Sequence, residues 1–341
     1  MWGLTNHTRF AADRALVRDM HGAEVWLVVV KGTFKINPDG STSLAEEQED
    51  VCLAPKFFGE PGKSSLRYES DLVPAKSATD VLLHGHAYAP NGKPVPRVDV
   101  TLKVGALAKT LSVFGNRLWK RSVLGTTMTD PQPFQKIPLT YEHAFGGIDQ
   151  KSTDPKKHGW EPRNPVGIGL AVEPQHLHDT PAPHVEDPKD LIRSWKQRPR
   201  PAGFGPIARH WSPRAELAGT HDTAWEEGRM PLLPVDFKEE FHQCAPEDQR
   251  VQPFLKGGEP VELCNLTPGG VMRFGLPQVT LGFETSIAGG LERHRPSLHT
   301  VILEPDEARV IMVWHTSLPC HHTLYSLIST SIIEKKRRPT L

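Results

Sequence analysis

The chain has 341 residues, 38% of them hydrophobic, enough to bury a substantial core without disulfides. Its 40 basic residues balance 40 acidic ones, so no net field draws it to nucleic acid or to an anionic membrane. Cys52, Cys244, Cys264 and Cys320 lie far apart with no C-x-x-C pair, which speaks against a zinc or dithiol site and for buried thiols in a reducing compartment.

The opening "MWGLTNHTRFAADR" lacks the basic stretch, apolar core and cleavage site of a secretory signal, and "VWLVVV" (Val25 to Val30) is too short to span a bilayer. A cytoplasmic location is expected. "EVWLVVVKGTFKI" (Glu24 to Ile36) begins as a continuous β-branched and aromatic run and ends in alternation, which predicts a central strand passing from fully buried to half exposed. "SSLRYESDL" (Ser64 to Leu72) and "DVLLHGHAYA" (Asp80 to Ala89) read as two more strands, with Asn91-Gly92 as a turn. "RVDVTLKV" (Arg97 to Val104) alternates cleanly and forms a hairpin with "KTLSVFG" (Lys109 to Gly115).

From about Asp149 to Pro234 periodicity fades, and Pro, Gly and Trp become dense. The chain holds 32 prolines, well above an average usage of about 5%. Trp160, Trp195, Phe204, Trp211 and Trp225 recur here, whereas disordered segments are poor in aromatics. An ordered, irregular layer is expected, stiffened by proline and pinned to the sheets by indoles.

In "MPLLPVDFKEEFHQCAPEDQR" (Met230 to Arg250) Asp236 and Glu239 have capping-box spacing, Phe237 and Phe241 have the spacing of rings buried together on a helical turn, and a further turn follows Pro246. "GVMRFGLP" and "QVTLGFET" are strands flanking Pro277, and "HTVILEPDEARVIMVWH" (His299 to His315) is a hairpin. In the tail, Leu324, Leu327, Ile328 and Ile332 fall on one helical stripe. These elements predict a mainly β protein of antiparallel, sandwich-like sheets with a long Pro/Gly-rich irregular middle and a few short helices. One domain is expected over 1–341: β-rich at 1–145, irregular at 146–235, β-rich again at 250–318 and closed by a short helix at 321–334. A break near residue 230 is the other division the sequence allows.

Chemistry is sparse. His84 and His86 in "LLHGHAY" share a face of the expected strand, but no carboxylate or further histidine adjoins them there, so a packed pair is the simpler reading than a metal site. "HLH" (His176 to His178) and "CHH" (Cys320 to His322) are no stronger. "NPVGIGLAV" has Gly167 and Gly169 but Val172 where a dinucleotide loop needs its third glycine, and there is neither a Walker A sequence nor a G-x-S-x-G. Cys244 and His242 are sequence neighbours, whereas nucleophile pairs come together through the fold. No cofactor is expected. The class opposed to a binding protein is a metal-dependent or Cys/His hydrolase using the His84 and His86 or the His242 and Cys244 regions.

Seven motifs then follow in order: "RYESDL" (Arg67 to Leu72), "DVLLHGHAYAP" (Asp80 to Pro90), "YEHAFGG" (Tyr141 to Gly147), "WEPRNPVGIG" (Trp160 to Gly169), "RPAGFGPIARHWSPR" (Arg200 to Arg214), "LLPVDFKEEFHQCAPEDQ" (Leu232 to Gln249) and "GGEPVELCNLTP" (Gly257 to Pro268). Together they resemble the type VI secretion effector adaptors, or effector chaperones, over almost the whole chain. The resemblance implies a non-enzymatic bacterial cytoplasmic protein that binds a toxic effector, commonly one with a PAAR domain, and helps load it onto the VgrG spike. It supplies no catalytic residues. From the residues themselves, Trp160, Arg163, Asn164, Phe204 and Trp211 are the candidates to form or directly support a protein-binding surface, because aromatic and arginine anchors on stiff loops lose little entropy on binding.

Overall fold

Strand Glu24–Ile36 is the spine of the largest sheet. In this computed structural model, which describes residues 2–123, 125–288, 290–320 and 327–335, it lies between strands Ala11–Arg18 and Arg309–Pro319. The sheet has seven strands, continuing through Ser297–Glu304 and Thr79–Leu83 to Arg250–Val251, with Thr42–Leu44 paired to the end of the spine. Thr79–Leu83 runs parallel to Ser297–Glu304 and the other pairs in this sheet are antiparallel.

Trp26, Val28 and Val30 enter one apolar cluster, while Leu27 and Val29 enter another on the opposite face. A sheet covered on both sides needs apolar residues at successive positions, which accounts for the unbroken run "VWLVVV". The expected half-exposed end is instead almost wholly buried. Lys31 stays inside because its ammonium meets Asp71 Oδ2 at 3.0 Å, so the alternation there reports paired charge rather than exposure.

The first cluster joins this sheet to two others. Hairpin Arg97–Val104 and Leu107–Phe114 forms as expected and contributes Val98, Val100, Leu102 and Leu111 from a five-stranded sheet that also holds Pro260–Cys264, Val271–Gly275 and Val185–Glu186. A four-stranded sheet of Gly3–Asn6, Leu327–Glu334, Leu281–Ile287 and Gly290–His294 contributes Phe283, Leu327 and Ile332. The protein is thus mainly β, made of several antiparallel and mixed sheets, and among the described residues one short α-helix, Thr223–Gly228, accompanies a set of 3₁₀ turns. No helix among them is long and apolar enough to cross a membrane.

Three local expectations change. The segment "DVLLHGHAYA" is two strands, Thr79–Leu83 and His86–Tyr88, that belong to different sheets and part at His84-Gly85. The expected C-terminal helix is, from Leu327 to Glu334, a strand held between Gly3–Asn6 and Leu281–Ile287; Leu324 and the rest of 321–326 lie outside the described residues. The β-branched series Ile328, Thr330, Ile332 and Ile333 fits that strand, and the Thr330 hydroxyl accepts from the Trp26 indole at 2.8 Å. Asp236 caps no helix: its carboxylate takes the Thr220 N–H and hydroxyl at 2.9 and 2.8 Å. Phe237 and Phe241 do meet edge to face, Phe241 on a single 3₁₀ turn, Glu239–His242, and Phe237 just before it, and a second turn, Glu247–Gln249, follows Pro246.

Candidate protein-binding surface

Asn164 ties two motifs of the irregular middle together. Its buried side-chain amide donates to the carbonyl oxygens of Tyr141 and Phe145 at 2.8 and 3.0 Å, and its backbone carbonyl accepts from Gly147 N–H at 2.8 Å. Phe145–Gly146 pairs in parallel with Ile168–Gly169 beside it. Backbones come so close here that a Cβ on Gly146, at φ +156°, would sit 2.1 Å from the Asn164 carbonyl oxygen. The glycines of "AFGG" therefore serve close packing of chain on chain rather than phosphate binding.

From this anchor a short ribbon projects. Ile148–Asp149 pairs antiparallel with Gly159–Trp160, placing Ile148 directly across from Trp160. Both are open to solvent, at 56% and 59%, and Val172, 40% exposed, packs over Gly159. The base of the ribbon is rigid: Glu161 is buried and clasped by Arg163 through two bonds of 2.6 and 2.7 Å, while Arg198 donates to the Ala171 carbonyl at 2.7 Å.

Behind the ridge is a groove of about 180 Å³ lined by Gly147, Ile148, Asp149, Ile168, His176 and Pro181, among others. Asp149 is buried and accepts from Val172 N–H at 2.7 Å and Lys151 N–H at 3.2 Å, with His176 Nδ1 at 2.8 Å. Burial pulls its carboxyl upward, but these partners more than compensate and hold it below the usual aspartate range.

The five candidate residues divide. Trp160 and the half-buried Arg163 lie at this surface, but Asn164, Phe204 and Trp211 are interior, at 0%, 0% and 1% exposure. Trp211 meets Tyr141 edge to face at 5.5 Å, and the Phe204 carbonyl accepts from Leu83 N–H and the Gln249 amide. Those three are enclosed and cannot touch a partner directly, for a simple reason: aromatic residues in a long irregular segment are what buries that segment.

The family model described as "Uncharacterized protein conserved in bacteria (DUF2169)" matches residues 21–315. The chain belongs to this bacterial family. All seven motifs quoted above fall inside the matched span. No curated protein and no solved structure matches the chain.

In this DUF2169 member the residues of the hydrolase alternative are placed apart or inside. His84 is buried between Phe58 and Tyr68, and burial drives its pKa down to about 4, whereas His86 is near the surface with Nδ1 2.5 Å from Asp306. Cys244 is fully buried, with its backbone N–H and its thiol directed at Asp80, and burial pushes the thiol up to about 12. His242 packs against Phe237 and Phe241. A protonated, enclosed thiol has neither the thiolate nor the access that nucleophilic attack requires. Among the described residues, no three His, Cys, Asp or Glu side chains converge as a metal site.

The family motifs instead meet as buried polar networks that sequence reading did not find. Glu69 of "RYESDL" pairs with Arg214 of "WSPR" at 2.5 Å and with Arg209 at 3.1 Å, and Arg214 also donates to the Phe241 and Ile207 carbonyls. Asp80 receives Lys76 at 2.7 Å, the Gln243 amide at 2.8 Å and Cys244 N–H at 2.8 Å. Gln249 donates to the Val81 and Phe204 carbonyls. The only available signal was polar residue types recurring inside apolar motifs, and pairing between segments more than a hundred residues apart leaves no periodic trace.

Proposed function

We propose that the protein is a non-enzymatic adaptor that binds a type VI secretion effector, one bearing or associated with a PAAR domain, and promotes its loading onto the VgrG spike in the bacterial cytoplasm. The observation that carries this reading is the ordered run of seven motifs, "RYESDL" through "GGEPVELCNLTP", within the span matched to the bacterial family. A rigid ribbon presenting Ile148 and Trp160 to solvent supports it, since preorganised aromatic anchors suit protein binding. The enclosed Cys244 supports the non-enzymatic part.

The test is co-expression with an effector and a spike protein encoded beside the gene. The expected result is a complex of adaptor and effector that survives size exclusion, with effector delivery lost on deleting the adaptor. A folded protein that captures none of these effectors, and whose deletion leaves delivery intact, would refute the reading.

A further inference from the structure

We infer that the ridge of Ile148 and Trp160, with the groove that Ile148 borders, is the docking site for an extended client segment carrying a large apolar side chain flanked by carboxylates. This rests on the adaptor reading and specifies its recognition chemistry. Single exposed apolar residues are ordinary, but here Ile148 and Trp160 face each other across a ribbon whose base is fixed by the Glu161–Arg163 clasp and by Asn164. A tryptophan held open in this way gains apolar burial on binding at little entropic cost.

Charge selects the flanks. The loop joining the two ribbon strands carries Lys151, Lys156, Lys157 and Asp154, all exposed. Lys157 is answered by Glu173 at 3.3 Å. The Lys151 ammonium rests on the neutral His176 carbonyl at 2.6 Å, and Asp154 turns toward the backbone N–H of Lys156. Neither Lys151 nor Lys156 meets a carboxylate among the described residues, and the nearby acids Asp149 and Glu161 are buried and already bonded. The loop at the ribbon's tip therefore holds two exposed lysines without a carboxylate partner, which favours acidic flanks and disfavours basic ones.

The experiment uses the full chain and short fluorescein-labelled peptides with a central Leu-Phe pair, flanked by glutamates in one and by lysines in the other, read by fluorescence anisotropy. The glutamate-flanked probe is expected to bind saturably, with affinity falling between about 50 and 300 mM salt. Trp160→Ala should weaken it on the order of tenfold, and the double variant Lys151→Glu, Lys156→Glu should transfer the preference to the lysine-flanked probe, both with unchanged circular dichroism and melting temperature. Equal binding of the two probes, no saturable binding of the acidic one, or indifference to Trp160→Ala would each overturn the inference. Capture of the co-expressed effector by a chain that ignores the probe refutes this surface chemistry alone, whereas failure to capture any effector removes the adaptor reading itself.

Discussion

His299 lies against His315 with ring centroids 4.2 Å apart, both rings buried and both Nδ1 atoms without a hydrogen-bond partner among the described residues. Phe254 stacks on His299, and Lys76 adds positive charge nearby. Burial, reinforced by this charge, lowers His299 well below the ordinary histidine range and His315 to about 3. The folded protein thus refuses protons that the unfolded chain accepts below about pH 6.5, so stability is complete above that pH and is lost as pH falls toward the folded values. Each ring contributes about 1.4 kcal/mol per pH unit across that window. Urea midpoints measured from pH 7.5 downward should fall before the carboxylates titrate, and His315→Leu should reduce the slope by about one proton. An unchanged slope in that variant would contradict the assignment.

Removing the Asn164 amide should cost stability out of proportion to its size. Asn164→Ala leaves the Tyr141 and Phe145 carbonyls without their shared donor in a buried site, a loss of about 3 kcal/mol. Asn164→Asp cannot donate and should do no better. Urea unfolding measures both, and a loss under about 1 kcal/mol would show that the two motifs hold together without this bridge.

The ion pair at the junction of "RYESDL" and "WSPR" should be more sensitive still. Burial alone would raise the Glu69 carboxyl, but Arg214 and Arg209 outweigh it and keep it below the normal range. Arg214→Ala strips away a 2.5 Å partner and the bonds to the Phe241 and Ile207 carbonyls, leaving Glu69 buried with Arg209 and the Ser70 N–H. A cost of about 3 to 5 kcal/mol is expected, and Arg214→Lys should recover only part of it because one ammonium cannot reproduce the fork. Full recovery by lysine would indicate that charge, and not geometry, is what the site requires.

Surface and support residues should separate cleanly in melting experiments. Trp160→Ala is expected to leave stability within about 0.5 kcal/mol of the parent, since its ring lies in solvent. Phe204→Ala empties a fully buried site and should cost about 3 to 5 kcal/mol. Comparable losses in the two would mean that Trp160 is packed in solution.

Thiol chemistry offers a check on the interior. Burial raises the pKa of all four cysteines, most for Cys244, while Cys264 is only partly buried, beside Glu262. Native alkylation followed by mass spectrometry should label Cys264 first, with Cys52, Cys244 and Cys320 labelled only on unfolding. Early labelling of Cys244 would reopen the nucleophile question.

Much of the β framework was legible because alternation and turn chemistry are local. The hairpins 97–114 and 297–319 could be read from period two and from their turns. The tail misled because Leu327, Ile328 and Ile332 fit a helical stripe as well as a strand, and only the flanking strands and the Trp26 indole decide between them. At the candidate surface, residue type pointed to the right segment but not to the exposed side of it. Trp160 and Trp211 look alike in sequence, and what distinguishes them is Tyr141, seventy residues before Trp211, closing over the latter.

The parallel pairing of Gly3–Asn6 with Leu327–Glu334 sets an order of assembly. Leu327–Glu334, the last strand among the described residues, is an interior strand of its sheet, and Gly3–Asn6 and Leu281–Ile287 gain their common partner only after it has been synthesised. The spine Glu24–Ile36 waits almost as long for Arg309–Pro319. A nascent chain therefore carries this strand with one edge open until Arg309–Pro319 emerges, an interval in which pairing with the wrong partner is a hazard.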